Sequence, residues 1–150
     1  MMSRILIDGD ACPVVDLTLK VARKYDIEVI IFCDTAHFIE RAGVEVIMVS
    51  KGNDAVDFKI INVIKPGDIL VTQDYGLAAM GLAKKARPIH QSGFIYKEDN
   101  IDQLLFRRHV GKEVRRRGGH TKGPKKRTIE QDKAFAESLI KLIEEYYVLE

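Results

Sequence analysis

The chain has 150 residues, 46% of them hydrophobic, which is enough apolar material for one sizeable core and too little for two. A formal charge of +2 gives no overall bias toward nucleic acid, a membrane or an acidic partner. No stretch approaches the roughly 20 apolar residues of a membrane span, and Cys12 and Cys33 are too few for a disulfide framework and lack zinc-site spacing. These totals predict a single cytoplasmic domain over residues 1–150, with reduced thiols and no membrane contact.

Short apolar runs alternate with segments of helical period. That pattern marks β-α-β units and predicts a three-layer α-β-α fold around a mostly parallel sheet. Ile5 to Asp8 reads as the first strand. Pro13 suits a first helical turn, and Val14, Leu17, Val21 and Tyr25 share one side of the helix that follows. Ile27 to Cys33 is nearly all apolar, as in a strand covered on both faces. Residues 34–43 suggest a short helix closed by Gly43, and Val44 to Val49 a third strand.

A helix starts near Gly52-Asn53-Asp54 and runs to Lys65, where Pro66-Gly67 stops it before a fourth strand, Asp68 to Thr72. Asp74 closes that strand. Leu77, Met80, Leu82 and Ala83 belong to a helix ending by Ala86, and Arg87 to Tyr96 holds a short fifth strand. Asp99 is placed to cap a helix from Asn100 toward Arg117, which Gly118-Gly119 ends. Thr128-Ile-Glu-Gln131 fits a capping box at the start of a C-terminal helix over 129–147. Phe135, Leu139, Leu142, Ile143 and Tyr146 form its apolar face, which can cover its own sheet or a neighbouring copy in a homo-oligomer.

Charge is unevenly placed along this frame. Residues 107–127 hold ten Lys or Arg against the single acid Glu113, leaving 14 basic and 21 acidic side chains elsewhere. A basic arm of +9 therefore stands beside a body of −7. Arg107, Arg108, Arg115, Arg116, Arg117, Lys122, Lys125, Lys126 and Arg127 are the candidate phosphate contacts, although a charge run is also the ordinary look of a solvated helix face. His109 and His120 lie among cations that disfavour bound metal. Little aromatic character interleaves the arm, so base stacking is not indicated there.

The acids carry the sharper signal. Asp8 ends the first strand, Asp10 lies two residues on, and Asp74 follows the fourth. In a parallel sheet both strands open at the carboxyl edge, where open α/β proteins bind ligands. Asp54 and Asp57 project together from a helix whose N-terminus faces the same edge. Carboxylates gathered in a partly desolvated cleft repel one another and raise each other's pKa. A divalent cation offsets that cost, and hard oxygen donors favour Mg²⁺ or Mn²⁺ over zinc.

Taken singly, Asp10 and Asp54 read equally well as helix caps, and Asn53 as a cap before a substrate contact. Thr72 can orient a carboxylate or a water through its hydroxyl, or be an ordinary strand residue. Cys12 sits near a helix N-terminus, but Asp8 and Asp10 oppose a thiolate there, which favours a packing role. A metal held by few carboxylates suits phosphodiester hydrolysis, and the basic arm supplies the matching affinity for a nucleic acid.

Ile7-Asp-Gly-Asp-Ala-Cys-Pro13, Gly52-Asn-Asp-Ala-Val-Asp57, Val71-Thr-Gln-Asp-Tyr-Gly-Leu77 and Gly123-Pro-Lys-Lys-Arg-Thr128 together resemble the YaiI/YqxD family of uncharacterised bacterial proteins along nearly the whole chain. That family is similar to PIN-like domains. The resemblance implies metal-dependent ribonuclease chemistry with Asp8, Asp57 and Asp74 as catalytic acids and ligands, and Asp10 and Asp54 in support. Two other readings compete. Asp8-Gly-Asp10 after a strand also resembles the nucleophile and acid/base pair of haloacid-dehalogenase-type phosphatases, with Lys51 as a poor match for the phosphate-binding lysine. The third reading is a non-catalytic nucleic-acid-binding module.

Overall fold

Five strands form one all-parallel sheet in the order β3-β2-β1-β4-β5: β1 Ile5–Asp8, β2 Val29–Asp34, β3 Glu45–Val49, β4 Ile69–Val71 and β5 Arg87–Ile89. The helices are α1 Val15–Lys24, α2 Ala55–Val63, α3 Tyr75–Ala83, α4 Glu98–Arg116 and α5 Ile129–Leu149. The computed structural model describes residues 3–52, 54–118 and 126–149, apart from the side chains of 146–149. The expected α/β, three-layer architecture is present.

Alternation along the strands divides the core. Ile5, Ile7, Val29, Ile31, Ile69 and Val71 face one layer, where Leu19 of α1 and Phe135, Leu139 and Ile143 of α5 cover them. Leu6, Ile30, Phe32 and Leu70 face the other, against Val56 and Ile60 of α2 and Leu77 of α3. Burying each such side chain contributes about 1.5–3 kcal/mol against the exposed state. The apolar face of α5 thus covers its own sheet. Thr128 and Gln131 form the expected capping box, with the Thr128 amide donating to Gln131 Oε1 at 2.9 Å and the Gln131 amide to Thr128 Oγ1 at 3.3 Å.

Elsewhere the local readings needed correction. No helix forms between Asp34 and Gly43. Asp34 Oδ1 accepts the amides of Ala36 and His37, both at 2.9 Å, and this turn takes the donors a helix start would use. Pro13 precedes α1 instead of entering it, since Val14 is the N-cap. Asp99 does not cap α4: it lies inside the first turn, and Asn100 Oδ1 instead accepts the Lys97 amide at 2.9 Å. The fifth strand stops at Ile89, with Ile95 returning to it as a single antiparallel bridge.

The amino edge of the sheet is neutralised from within. Asp68, only 4% exposed, receives Arg4 Nε at 3.2 Å and Arg4 Nη2 at 2.6 Å, along with the Lys65 amide at 2.8 Å. This forked pair joins the start of β1 to the start of β4. Replacing Arg4 with Met leaves a buried carboxylate unpaired. Its expected cost is about 3 kcal/mol or more in urea unfolding at pH 7; a loss below about 1 kcal/mol would mean that water screens the pair.

Candidate active site

The sheet order reverses at β1, because β2 and β3 lie on one side and β4 and β5 on the other. The carboxyl ends of β1 and β4 therefore diverge into a crevice. Alternation decides what points into it. Asp8 continues the face of Leu6, Asp34 that of Ile30 and Phe32, and Thr72 that of Leu70, so all three turn toward the α2 and α3 layer. Gly9 lets the chain leave β1 tightly, its amide donating to Phe32 O at 2.8 Å. A Cβ there would stand 2.7 Å from that oxygen and 2.8 Å from Ile39 Cδ1.

The resulting cleft has a volume of about 470 Å³ and six aspartates on its walls: Asp8, Asp10, Asp34, Asp54, Asp57 and Asp74. Gln73, Tyr75 and Arg108 complete its polar lining, with Gly52, Ala55 and Val56 beside them. Every acid anticipated from the sequence thus borders one space. Asn53 lies outside the described residues. Asp34 is not among the acids the sequence points to, since Ile27 to Cys33 reads as the whole strand; its place two residues beyond Phe32 on the same face is the signal that could find it.

Asp8 and Asp57 bear the cost of this assembly. Burial pushes the Asp8 carboxyl up to about 6, against the lowering effect of the Thr72 hydroxyl, which donates to Asp8 Oδ2 at 2.8 Å; Asp74 and Asp10 raise it further. Asp57 is also pushed up to about 6, first by burial and then by Asp74, Asp8 and Asp54, while Arg108 pulls it down. The Thr72 Oγ1 also accepts the Asp74 amide at 3.0 Å, so one hydroxyl joins the ends of β1 and β4.

Asp74 is both a cap and a wall of the cleft. Its Oδ1 accepts the Leu77 amide at 3.1 Å at the start of α3 and Arg108 Nη1 at 3.3 Å from α4. Asp54 is the N-cap residue of α2 by position, yet no side-chain capping bond comes from it, and its φ of 61° is left-handed. Asp10 caps nothing: α1 begins after Val14, and Asp10 Oδ1 lies 3.3 Å from His37 Nδ1. The same nitrogen lies 2.9 Å from Asp34 Oδ1. Burial pushes the Cys12 thiol up to about 11, so it is no activated nucleophile.

The basic arm divides in the structure. Arg107, Arg108, Arg115, Arg116, Arg117 and Lys126 are exposed, and Arg116 pairs with Glu113 one turn away. Arg127 is held in the fold by Asp132 Oδ1 at 2.7 Å and Gln91 O at 2.7 Å. His120, Lys122 and Lys125 lie outside the described residues.

The donor set fits a hard cation in chemistry: all oxygen, on a sheet edge whose like charges are incompletely offset. It does not close around one. Among the described residues, no group of three or more His, Cys, Asp or Glu side chains is disposed to hold a metal ion. An ion here would have to keep much of its water, which is the habit of Mg²⁺.

Comparison with known proteins decides the family. The model described as "Uncharacterized BCR, YaiI/YqxD family" matches residues 6–145. The chain belongs to the YaiI/YqxD family. A UPF0178 protein of Exiguobacterium sibiricum is 55% identical over 142 residues, covering 95% of this chain and 97% of that one. One from Ruminiclostridium cellulolyticum is 51% identical over 140 residues, covering 93% and 92%. Among solved structures, Rae1 (YacP) of Bacillus subtilis, as a mutant, aligns with a TM-score of 0.45 and 18% identity over 77% of this chain and 81% of its own. A likeness of that degree decides neither activity nor site. No helix among the described residues is long and apolar enough to cross a membrane.

The raised Asp8 carboxyl has a consequence for stability. Because its folded value lies above its unfolded one, its contribution is fully present below about pH 4 and is lost as pH rises through about 6. Without divalent ions, Asp8→Asn should raise unfolding free energy at pH 7.5 by about 1–3 kcal/mol and flatten the decline between pH 4 and 7. Urea titrations in EDTA at several pH values measure both. A variant less stable than wild type at pH 7.5 would mean that the cleft already neutralises Asp8.

Proposed function

We propose that the cleft is the active site of a Mg²⁺- or Mn²⁺-dependent nuclease that hydrolyses phosphodiesters, with RNA as the nucleic acid. The observation that carries this reading is the contrast between the two sheet edges. The buried Asp68 at the amino edge has its own arginine, whereas at the carboxyl edge Asp8 has the Thr72 hydroxyl and Asp57 the longer-range pull of Arg108, among four further aspartates. Natural folds keep such repelling carboxylates chiefly where a cation or a reaction uses them.

Asp8, Asp57 and Asp74 would hold the ion, in part through its retained waters, with Asp10, Asp34 and Asp54 adding negative charge to the cleft. When bound, the ion would supply Lewis-acid polarisation of the phosphoryl group and a more acidic water. The protein's own groups have separate tasks. Thr72 fixes the rotamer of Asp8 through its hydroxyl and ties Asp74 to the same oxygen, so two ligand acids move together. Arg108, at 3.3 Å from Asp74, is placed to meet a phosphate that enters the cleft. Lys112 and Arg115, both exposed on α4, add sequence-independent attraction.

A non-catalytic nucleic-acid-binding module is the second reading, favoured by the open spacing of the carboxylates. The phosphatase reading loses support, because among the described residues no lysine lines the cleft beside Asp8.

Purified Asp8→Asn and Asp74→Asn should each lose at least about 100-fold of Mn²⁺-stimulated cleavage of a mixed RNA pool, with far-ultraviolet circular dichroism unchanged. Cleavage persisting at the wild-type rate in both variants would end the nuclease reading. RNA binding in EDTA without turnover under Mg²⁺ or Mn²⁺ would establish the module instead.

A further inference from the structure

α4 is 19 residues long, yet only Ile101 among its side chains is buried. Ile101, Leu104 and Leu105 pack against Ala78, Ala79, Leu82 and Tyr96, and two turns beyond Ile101 the same face brings Arg108 to Asp74. Tyr75 joins the same cluster, and Arg108, later in α4 than its apolar members, reaches Asp74 at the N-cap of α3. Residues 109–116 continue α4 past Arg108, and at 1.5 Å per residue this overhang spans about 12 Å.

Helical phase sorts the charges on the overhang. At about 100° per residue, Arg108, Lys112 and Arg115 fall within about 40° of the direction of Ile101, the side that meets α3 and the cleft. Arg107 falls about 120° away, on the side that carries the exposed Phe106, Val110 and Val114. The successive rises of 108 to 112 and 112 to 115 are about 6 and 4.5 Å. Lys112 and Arg115 are both exposed.

Gly76 adds a local sign that the inner end of this row is built. A Cβ at Gly76 would stand 3.2 Å from Asp74 Oδ1, a tight approach, and 3.9 Å from Arg108 Nη1, an ordinary contact, so the glycine relieves crowding at the acid that Arg108 meets. Among the described residues that line the cleft, Arg108 is the cation.

We infer that Arg108, Lys112 and Arg115 form a rail on which the backbone of one nucleic-acid strand leaves the cleft, each cation meeting a phosphate on the same side of the reacting bond. This rests on the nuclease reading for the direction of the strand, but it sorts the basic segment by itself. Lys112 is assigned to the path, and Arg107, its neighbour in sequence to Arg108, is assigned away from it. The row is continuous with the acidic cleft at Arg108, which hands a phosphate to the site when it leaves Asp74.

The test uses full-length protein and a fluorescein-labelled, unstructured 20-nucleotide RNA, with binding measured by anisotropy in EDTA from 50 to 200 mM KCl. Lys112→Gln and Arg115→Gln should each flatten the slope of log K against log salt by about 0.7, so that the variant loses about threefold less affinity than wild type across that range. Arg107→Gln should leave the slope as in wild type. Equal flattening by Arg107→Gln and Lys112→Gln would overturn the rail in favour of a diffuse cationic face. Cleavage of the same RNA under Mn²⁺ separates the two proposals. Wild-type cleavage with indistinguishable slopes sinks the rail alone; the predicted slopes without cleavage sink the nuclease; absence of binding by wild type sinks both.

Discussion

Repulsion among carboxylates at one end of a parallel sheet is the constraint around which this molecule is organised. Strand alternation turns Asp8, Asp34 and Thr72 to the same side, and the reversal of strand order at β1 opens the crevice into which they point. Helix α2 then presents Asp54 and Asp57 to that crevice, and the N-terminus of α3 presents Asp74. Burial and mutual charge raise Asp8 and Asp57 together, so the fold stores an unfavourable term that a cation or a positively charged group relieves.

What offsets that term inside the protein is limited and specific. Thr72 donates to Asp8 and accepts from the Asp74 amide, while Asp74 divides one oxygen between the first turn of α3 and Arg108. His37 approaches Asp34 and Asp10 at the opposite rim. These contacts fix the positions of the acids without removing the excess of negative charge. At the amino edge the arrangement is the reverse, for Arg4 and Asp68 form a forked pair that closes the electrostatic account of β1 and β4. Family membership adds context without chemistry, because the YaiI/YqxD family is described only as uncharacterised.

Helix α4 joins the acidic site to the basic segment. Its first half packs on α3 through Ile101, Leu104 and Leu105, and its second half carries charge around most of its surface, apart from an apolar stripe of Phe106, Val110 and Val114 away from the cleft. A helix of this kind cannot be stabilised by burial along its whole length. Its far end is held by its own hydrogen bonds and local ion pairs such as Arg116 with Glu113.

The sequence by itself determined the sheet, its parallel sense and the convergence of Asp8, Asp57 and Asp74, because hydrophobic period and the punctuation of Pro66-Gly67 and Gly118 are local properties that survive into the fold. The capping box at Thr128 was legible for the same reason. Only the tertiary structure decided the rest. The turn at Asp34 replaced an expected helix because two amides found one carboxylate oxygen, and that turn brought Asp34 and His37 to the site. Arg108 separated from Arg107 because helical phase matters only once α3 supplies a neighbour. Arg127 left the list of exposed cations because Asp132 and the carbonyl of Gln91, 36 residues away in the chain, took its donors. In each case the deciding partner is chosen by packing, and packing is not written in the period of any single segment.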